Sequence, residues 1–416
     1  MKFIHAADIH LDSPLTGLEN YEGAPVDLIR GASRKALSNL VKLALEEGVD
    51  FVIIAGDLYD GDWRDVSTGM YFNRQMLRLK DRNIKVFIIK GNHDAASNIS
   101  SNLPLPENVI EFSSRSVQTY RLDELQTVIH GQSFKTRAVT DNLAQGYPLA
   151  EPGCFNIGML HSSLTGREGH EVYAPCSEAD LCSRGYDYWA LGHIHKREIV
   201  CAGDPCWIVF PGNIQGRFIR ETGDKGCTLV EVIDKEVVSV DHFSLDVMRW
   251  VECQVDTSGM NTPAEVLIQV KDEVDSQTMG IDMPAAVRVL LRGECKASYD
   301  LLAYTKKWSD SIRALIMNSR PDIWVEKVKF DIQPPAIRTY DSLVFQTIAE
   351  LVAYYDSNPE AREELFEDIL QDIANLPGGE LWEELKSDPQ KCRDILLDTE
   401  SLLIGILSGG AADEDQ

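Results

Sequence analysis

The 416-residue sequence predicts an α/β protein with buried strands, on three observations. Short runs of β-branched and aromatic residues alternate with segments of helical periodicity. Five of these runs stop abruptly on polar residues, at the carboxyl ends of strands where α/β sheets gather ligands. The chain is also too long for one compact core, so further domains are expected beyond the first.

The stretch Val86–Lys90 shows the pattern most clearly: the apolar run ends at Gly91, and Asn92, His93 and Asp94 follow at once. Three polar side chains crowded past a buried strand are costly to hold unless something charged pairs with them. Lys2–Ala7 is a first strand, ending in Asp8-Ile9-His10. Residues two apart on an extended segment point the same way, so Asp8 and His10 can share one ion. That pair is weak evidence by itself. Residues 27–47 have helical spacing (Leu28, Ala32, Leu37, Leu40, Val41, Leu45) and a Gly48 stop. Phe51–Ala55 is a second strand, where Gly56 lets the backbone turn and frees Asp57 to project. A helix over Thr68–Leu79 precedes the third strand. Asn156–His161 and Tyr186–Leu191 are the fourth and fifth, the latter leading into Gly192-His193-Ile194-His195. Ile208–Asn213 and Gly226–Val232 close a first domain of residues 1–245. Of nine histidines, His10, His93, His161, His193 and His195 sit at these strand ends, which scattered core or surface histidines would not do.

The order Asp8-x-His10, Gly56-Asp57, Gly91-Asn92-His93-Asp94, His161, Gly192-His193-x-His195 resembles the calcineurin-like metallophosphoesterases at every element. Leu164–Cys176, Gly185–His195 and Phe210–Arg217 are similar, more finely, to the DNA repair exonuclease SbcD family, in its YhaO-like branch. The resemblance implies a four-layer fold, two mixed β-sheets flanked by helices, with metals at the loops along one edge. It implies two divalent ions: Asp8, His10 and His195 on one, Asn92, His161 and His193 on the other. Asp57 is the bridging ligand, since a carboxylate has two oxygens to share. Imidazole, carboxylate and amide donors suit Mn²⁺, Fe²⁺ or Zn²⁺ better than Ca²⁺, and the resemblance favours manganese. Ions about 3.5–4 Å apart would neutralise a phosphodiester and acidify a water. His93 is not needed as a ligand and would face the phosphate or leaving group as an imidazolium. Asp94 either orients His93 or caps the following turn. Some archaeal relatives carry a second histidine three residues past the bridging aspartate; this chain departs from them with Asp60.

After residue 245 the pattern changes. Trp250–Val255 reads as a strand, Pro263–Ser276 as a helix behind an N-cap at Thr262, Ala285–Gly293 as a strand, Tyr299–Met317 as a helix and Trp324–Phe330 as a last strand before Pro334-Pro335. Residues 246–335 resemble the capping domain of SbcD-type nucleases, which lies over the DNA groove; a plain α+β packing module reads equally well. Residues 336–416 are acidic and helical, with Val344, Ile348, Leu351, Val352 and Tyr355 on one face. Pro377-Gly-Gly379 separates them from Trp382–Leu385 and Ile395–Leu407, and Asp413–Gln416 reads as a disordered tail. The resemblance implies that this region docks on an SbcC-like ATPase, the alternative being a bundle packed on the catalytic domain. It also implies a homodimer through helices between Ser13 and Glu47.

The net charge is −26, and from Arg338 onward 19 acidic residues face 5 basic ones. That balance argues against strong autonomous DNA binding, although bound cations would add positive charge that residue counting misses. Arg167, His170, Arg217 and Arg220 are candidate phosphate contacts; His5 reads as a core residue or a support for the ligands, and His130 and His242 carry no signal. No apolar run reaches the length of a membrane span. Met1–Asp8 lacks a signal peptide's apolar stretch, and nine cysteines show no CxxC pairing, so a cytoplasmic protein with reduced thiols is expected. The expected function is a manganese-dependent DNA nuclease, exonuclease or endonuclease, in double-strand-break repair. The alternatives are a phosphodiesterase or phosphatase acting on small nucleotides or phosphoproteins, and a scaffold with a residual site.

Overall fold

A computed structural model describes residues 1–13, 24–60, 66–96, 103–164, 173–335, 343–373 and 389–410. They divide into two compact units, Met1–Val251 with Ile281–Ala286, and Glu252–Gly280 with Val287–Gln416.

The first unit begins β1 (Lys2–Ala6), α1 (Val26–Glu47), β2 (Phe51–Ala55), α2 (Val66–Lys80), β3 (Lys85–Ile89), α3 (Asn92–Ala96) and β4 (Val109–Glu111). It continues through β5 (Gln118–Leu122), β6 (Thr127–Gly131), β7 (Phe155–His161), α4 (Glu178–Cys182), β8 (Tyr188–Gly192), β9 (Glu198–Cys201) and β10 (Trp207–Phe210). β11 (Gly226–Ile233) and β12 (Glu236–Ser244) form a closing hairpin. Two six-stranded mixed sheets result, ordered β12-β11-β1-β2-β3-β4 and β5-β6-β7-β8-β10-β9. β1 to β4 run parallel in the first, and β6, β7, β8 and β10 in the second.

Alternation along the strands makes the layers. Phe3, Phe51, Ile53, Phe87 and Ile89 face Ile157, Met159, Tyr188, Ala190 and Val209 of the other sheet. Their neighbours Ile4, Val52, Ile54, Val86 and Ile88 pack under α1 and α2 through Leu37, Leu40, Phe72 and Met76. On the far side, Trp189, Leu191, Ile208 and Phe210 are covered by Tyr147, Leu181 and Tyr186. Strands buried on both faces read as continuous apolar runs, which is why they are visible in the sequence. His5 lies between the sheets, with Nδ1 3.0 Å from the Tyr188 hydroxyl and Nε2 3.1 Å from the Leu191 carbonyl. Burial lowers its pKa to about 3, so it is a neutral core residue that ties the sheets together.

The second unit carries β13 (Arg249–Asp256) from Glu252 on, α5 (Pro263–Gln277), β14 (Ala285–Glu294) from Val287 on, α6 (Ser298–Ala303), α7 (Thr305–Ser319) and β15 (Ile323–Gln333). Its sheet is ordered β13-β14-β15. The Thr262 side chain accepts from the Glu265 N–H and caps α5. The single helix expected over 299–317 is two, because the chain leaves helical geometry at Tyr304 (φ −130°, ψ 48°). α8 (Leu343–Ser357), α9 (Pro359–Ile373) and α10 (Pro389–Gly410) follow, with α10 packed on α6 and α8. The expected apolar face of α8 is only partly covered: Val352 is buried, but Val344 and Leu351 are more than half exposed, at 56% and 52%. Residues 377–379, 382–385 and 413–416 lie outside the described residues, as do 14–23 of the segment expected at a dimer interface. Among the described residues no helix is long and apolar enough to cross a membrane.

Candidate metal centre

The carboxyl ends of β1, β2, β3, β7 and β8 converge, so both sheets contribute to one cluster. The segments after β1 and β2 are zipped together by three backbone bonds: Asp8 N–H to the Gly56 carbonyl (3.0 Å), His10 to Asp57 (3.0 Å) and Leu11 to Leu58 (2.9 Å). Asp8, His10, Asp57 and His193 all take positive φ (51°, 44°, 50° and 101°). Non-glycine residues rarely adopt that conformation, and its concentration here is backbone strain held in place by the surrounding fold. Two glycines are dictated by close approach. A Cβ on Gly91 would collide with Asp57 Oδ1 and the His161 ring, and one on Gly192 with the Ala55 carbonyl.

Asp8, His10, Asp57, Asn92 and His161 are at most 3% exposed. His161 Nδ1–H donates to the Ala55 carbonyl at 3.0 Å, which leaves Nε2 pointing inward, 3.1 Å from Asn92 Oδ1 and 3.4 Å from Asp57 Oδ2. His10 Nε2 lies 3.8 Å from Asp57 Oδ2 and 3.3 Å from His195 Nε2, and His195 Nε2 is 3.9 Å from Asp8 Oδ1. Asp8-His10-His195 and Asp8-Asp57-His161 therefore each bring their donor atoms within 4.8 Å of one another. His193 donates its backbone N–H to both Asp8 oxygens (3.2 and 3.0 Å), and its ring stands 5.3 Å from that of His161.

This donor set fits divalent cations. Burial pushes the Asp8 carboxyl up and opposes the charge on Asp57 too, yet His161, His10 and His93 hold Asp57 far below the usual range. Burial brings His10 down to about 3, so its imidazole is neutral, and its buried Nδ1 has no hydrogen-bond partner. Two buried carboxylates, inward-facing imidazole nitrogens and an amide oxygen on one point form a nest for positive charge.

His93 is the more open member. Its backbone N–H donates to Asp57 Oδ1 at 2.9 Å, and its ring Nδ1 lies 2.6 Å from Asp60 Oδ1. Burial works against the imidazolium, but Asp60 and Asp57 outweigh it and raise the pKa. Of the two roles open to Asp94, orienting His93 is not the one the structure shows. The Asp94 carboxylate faces away from His93 and accepts the N–H groups of Leu58 (3.0 Å), Tyr59 (2.8 Å) and Gly91 (3.2 Å). Consecutive residues on α3 diverge by about 100°, so His93 is served by Asp60 while Asp94 braces the segment bearing Asp57.

The sequence reading also missed Glu221. Its Oε1 accepts His195 Nδ1–H at 2.7 Å, fixing the tautomer that leaves Nε2 for an ion. Oε2 accepts the Asn213 amide (2.9 Å) and the Arg217 backbone N–H (2.8 Å), while the Arg217 guanidinium reaches Oε1 at 3.0 Å and Asp60 Oδ2 at 3.4 Å. Burial opposes the Glu221 charge, but His195 and Arg217 hold its carboxyl well below the usual range. Arg217 thus braces two carboxylates. Arg220 is exposed on the same turn, and Arg167 and His170 lie outside the described residues.

Residues 1–197 match the calcineurin-like phosphoesterase family, and residues 250–333 match the middle domain of the metallophosphoesterase YhaO. The chain belongs to the calcineurin-like metallophosphoesterases, and is a metal-dependent phosphoesterase by family. It is 37% identical over 297 residues to the uncharacterized metallophosphoesterase YhaO of Bacillus subtilis (strain 168), covering 70% of this chain and 72% of that one. It is also 25% identical over 289 residues to the DNA double-strand break repair protein Mre11 of Sulfurisphaera tokodaii, covering 66% and 70% of the two chains. Among solved structures, a dimetal phosphatase from Danio rerio aligns at 11% identity with a TM-score of 0.35, over 56% of this chain and 93% of that one.

Proposed function

We propose that this protein is a DNA nuclease: a phosphodiesterase that processes DNA ends in double-strand-break repair, in the cytoplasm, with an SbcC-like ATPase as partner. One observation carries the choice of DNA. The similarity to Mre11 runs over 289 residues, well past the 197 that match the phosphoesterase family, so it extends beyond the metal-binding motifs. The second unit, as a DNA-groove module, and the acidic helices beyond it, as the partner-docking region, are parts of the same proposal, as is a homodimer.

Asp57 would bridge two ions, with Asp8, His10 and His195 on one side and Asn92, His161 and His193 on the other; manganese is the favoured metal. Divalent ions held there supply positive charge to the phosphate and lower the pKa of water. The protein's own residues do the rest. Ala55 and Glu221 fix the two histidine tautomers by taking their Nδ1 protons. Asp60 holds His93 by Nδ1, leaving Nε2–H to protonate the departing 3′-oxygen.

The net charge of −26 favours a second reading, hydrolysis of small nucleotides or phosphoproteins. End-labelled double-stranded DNA and bis-p-nitrophenyl phosphate, each incubated with Mn²⁺ and wild-type, Asp57→Ala or His93→Ala protein, separate the two. DNA cleavage by the wild type, lost in both variants, supports the nuclease. Turnover of the small diester with DNA untouched, even with the ATPase present, supports the second reading.

A further inference from the structure

The turn after β10 is held unusually firmly. The Glu221 N–H donates to the Phe218 carbonyl (2.8 Å), and the Arg217 N–H to Glu221 Oε2 (2.8 Å). The Gly216 carbonyl accepts the Trp250 indole N–H at 3.1 Å, and Gln215 is pinned to Met248 and Val247 at 2.7 and 2.9 Å. From this fixed backbone the Phe218 ring projects into solvent, 42% exposed, the one exposed aromatic ring among the described residues of the first unit. Leaving so large an apolar ring in water forgoes the stabilisation that burial would give. The surroundings point to a ligand. The Arg217 guanidinium carbon lies 5.7 Å from the ring centroid, and Arg217 Nη2 is 3.3 Å from His195 Nδ1. The ring is thus one side chain away from a residue of the metal cluster, and Arg220 is exposed two positions further on.

We infer that Phe218 is a stacking platform for an unpaired nucleobase of the substrate strand, with Arg220 placed for the adjacent phosphate. This rests on the DNA reading above and narrows its substrate class. Every base has a π-face, so stacking is tolerant of sequence. A paired base inside a duplex has its faces covered, so the platform selects single strands and frayed ends. Rigidity matters here, because a ring already fixed in place loses little entropy on binding.

The test compares full-length wild type, Phe218→Ala and Phe218→Trp with Mn²⁺ on two substrates. One is a single-stranded thymidine oligonucleotide; the other has the same length and backbone with abasic residues in place of the bases. Phe218→Ala is expected to lose about five- to a hundredfold in kcat/KM on the base-bearing strand, mainly through KM. It should match the wild type on the abasic strand, and Phe218→Trp should restore the loss. Equal losses on both strands would make the ring a structural element, and no loss on either would remove it from recognition; both overturn the inference. A wild type that cleaves end-labelled double-stranded DNA but not the base-bearing single strand overturns this inference alone; one that cleaves no DNA while hydrolysing a small diester overturns the nuclease reading, and this inference falls with it.

Discussion

His10 Nε2 and His195 Nε2 stand 3.3 Å apart, and the proton on His195 is committed to the other side of its ring, at Glu221. The contact makes chemical sense as two nitrogens aimed at shared positive charge. It places Glu221, 26 residues along the chain from His195, in control of the ligand's orientation and basicity. Glu221→Gln keeps the shape and removes the charge. Mn²⁺ affinity at one of two sites is expected to fall about 10- to 100-fold, measured by titration calorimetry on metal-stripped protein. Unchanged affinity at both sites would remove Glu221 from the centre.

Asp60 and His93 form the second pair. Asp60 raises the His93 pKa, so the acid form persists above the ordinary histidine range near 6.5 and is lost as pH rises through the raised value. Asp60→Asn is expected to bring the alkaline limb of the pH–rate profile down. It should slow diesters with alkoxide leaving groups about 10²- to 10⁴-fold, and those with p-nitrophenolate much less, since that group leaves without a proton. Equal losses on both substrates would refute the acid role.

For Asp94 the expected outcome lies in stability. Asp94→Ala strands three buried N–H groups, at Leu58, Tyr59 and Gly91. At about 1 kcal/mol or more each, the first unit should lose on the order of 3 kcal/mol in urea unfolding, with activity falling alongside. Full stability with abolished turnover would return Asp94 to the chemistry.

The ligand cluster was legible because each member ends a strand buried on both faces, and such strands announce themselves as uninterrupted apolar runs. Where burial is lighter the signal fades, and β6, though buried throughout, is a short run ending in His130 and Gly131 that also went unread. β5 (burial only partial) and β12, on the sheet edges, escaped the reading, and Tyr304 breaks a helix that periodicity drew as continuous. Glu221 was invisible for another reason. It sits in a turn with no periodic pattern, and only tertiary folding brings it to His195. Asp60 was legible as a departure from a paired-histidine arrangement, but sequence could not show that it takes up His93. Sequence left Asp94 open between orienting His93 and capping a turn, and only the fold shows it taking the N–H groups of Leu58, Tyr59 and Gly91.

The most direct test of the metal centre is phosphodiester turnover as ions are returned to stripped protein. Bis-p-nitrophenyl phosphate hydrolysis should be absent without metal and recover with Mn²⁺ as two ions bind per chain. In Asp57→Asn it should stay at least about 10³-fold lower, because the residue shared by both sites is gone. Turnover that ignores metal, or that survives in Asp57→Asn, would contradict the assignment of these strand ends as a two-metal phosphoesterase centre.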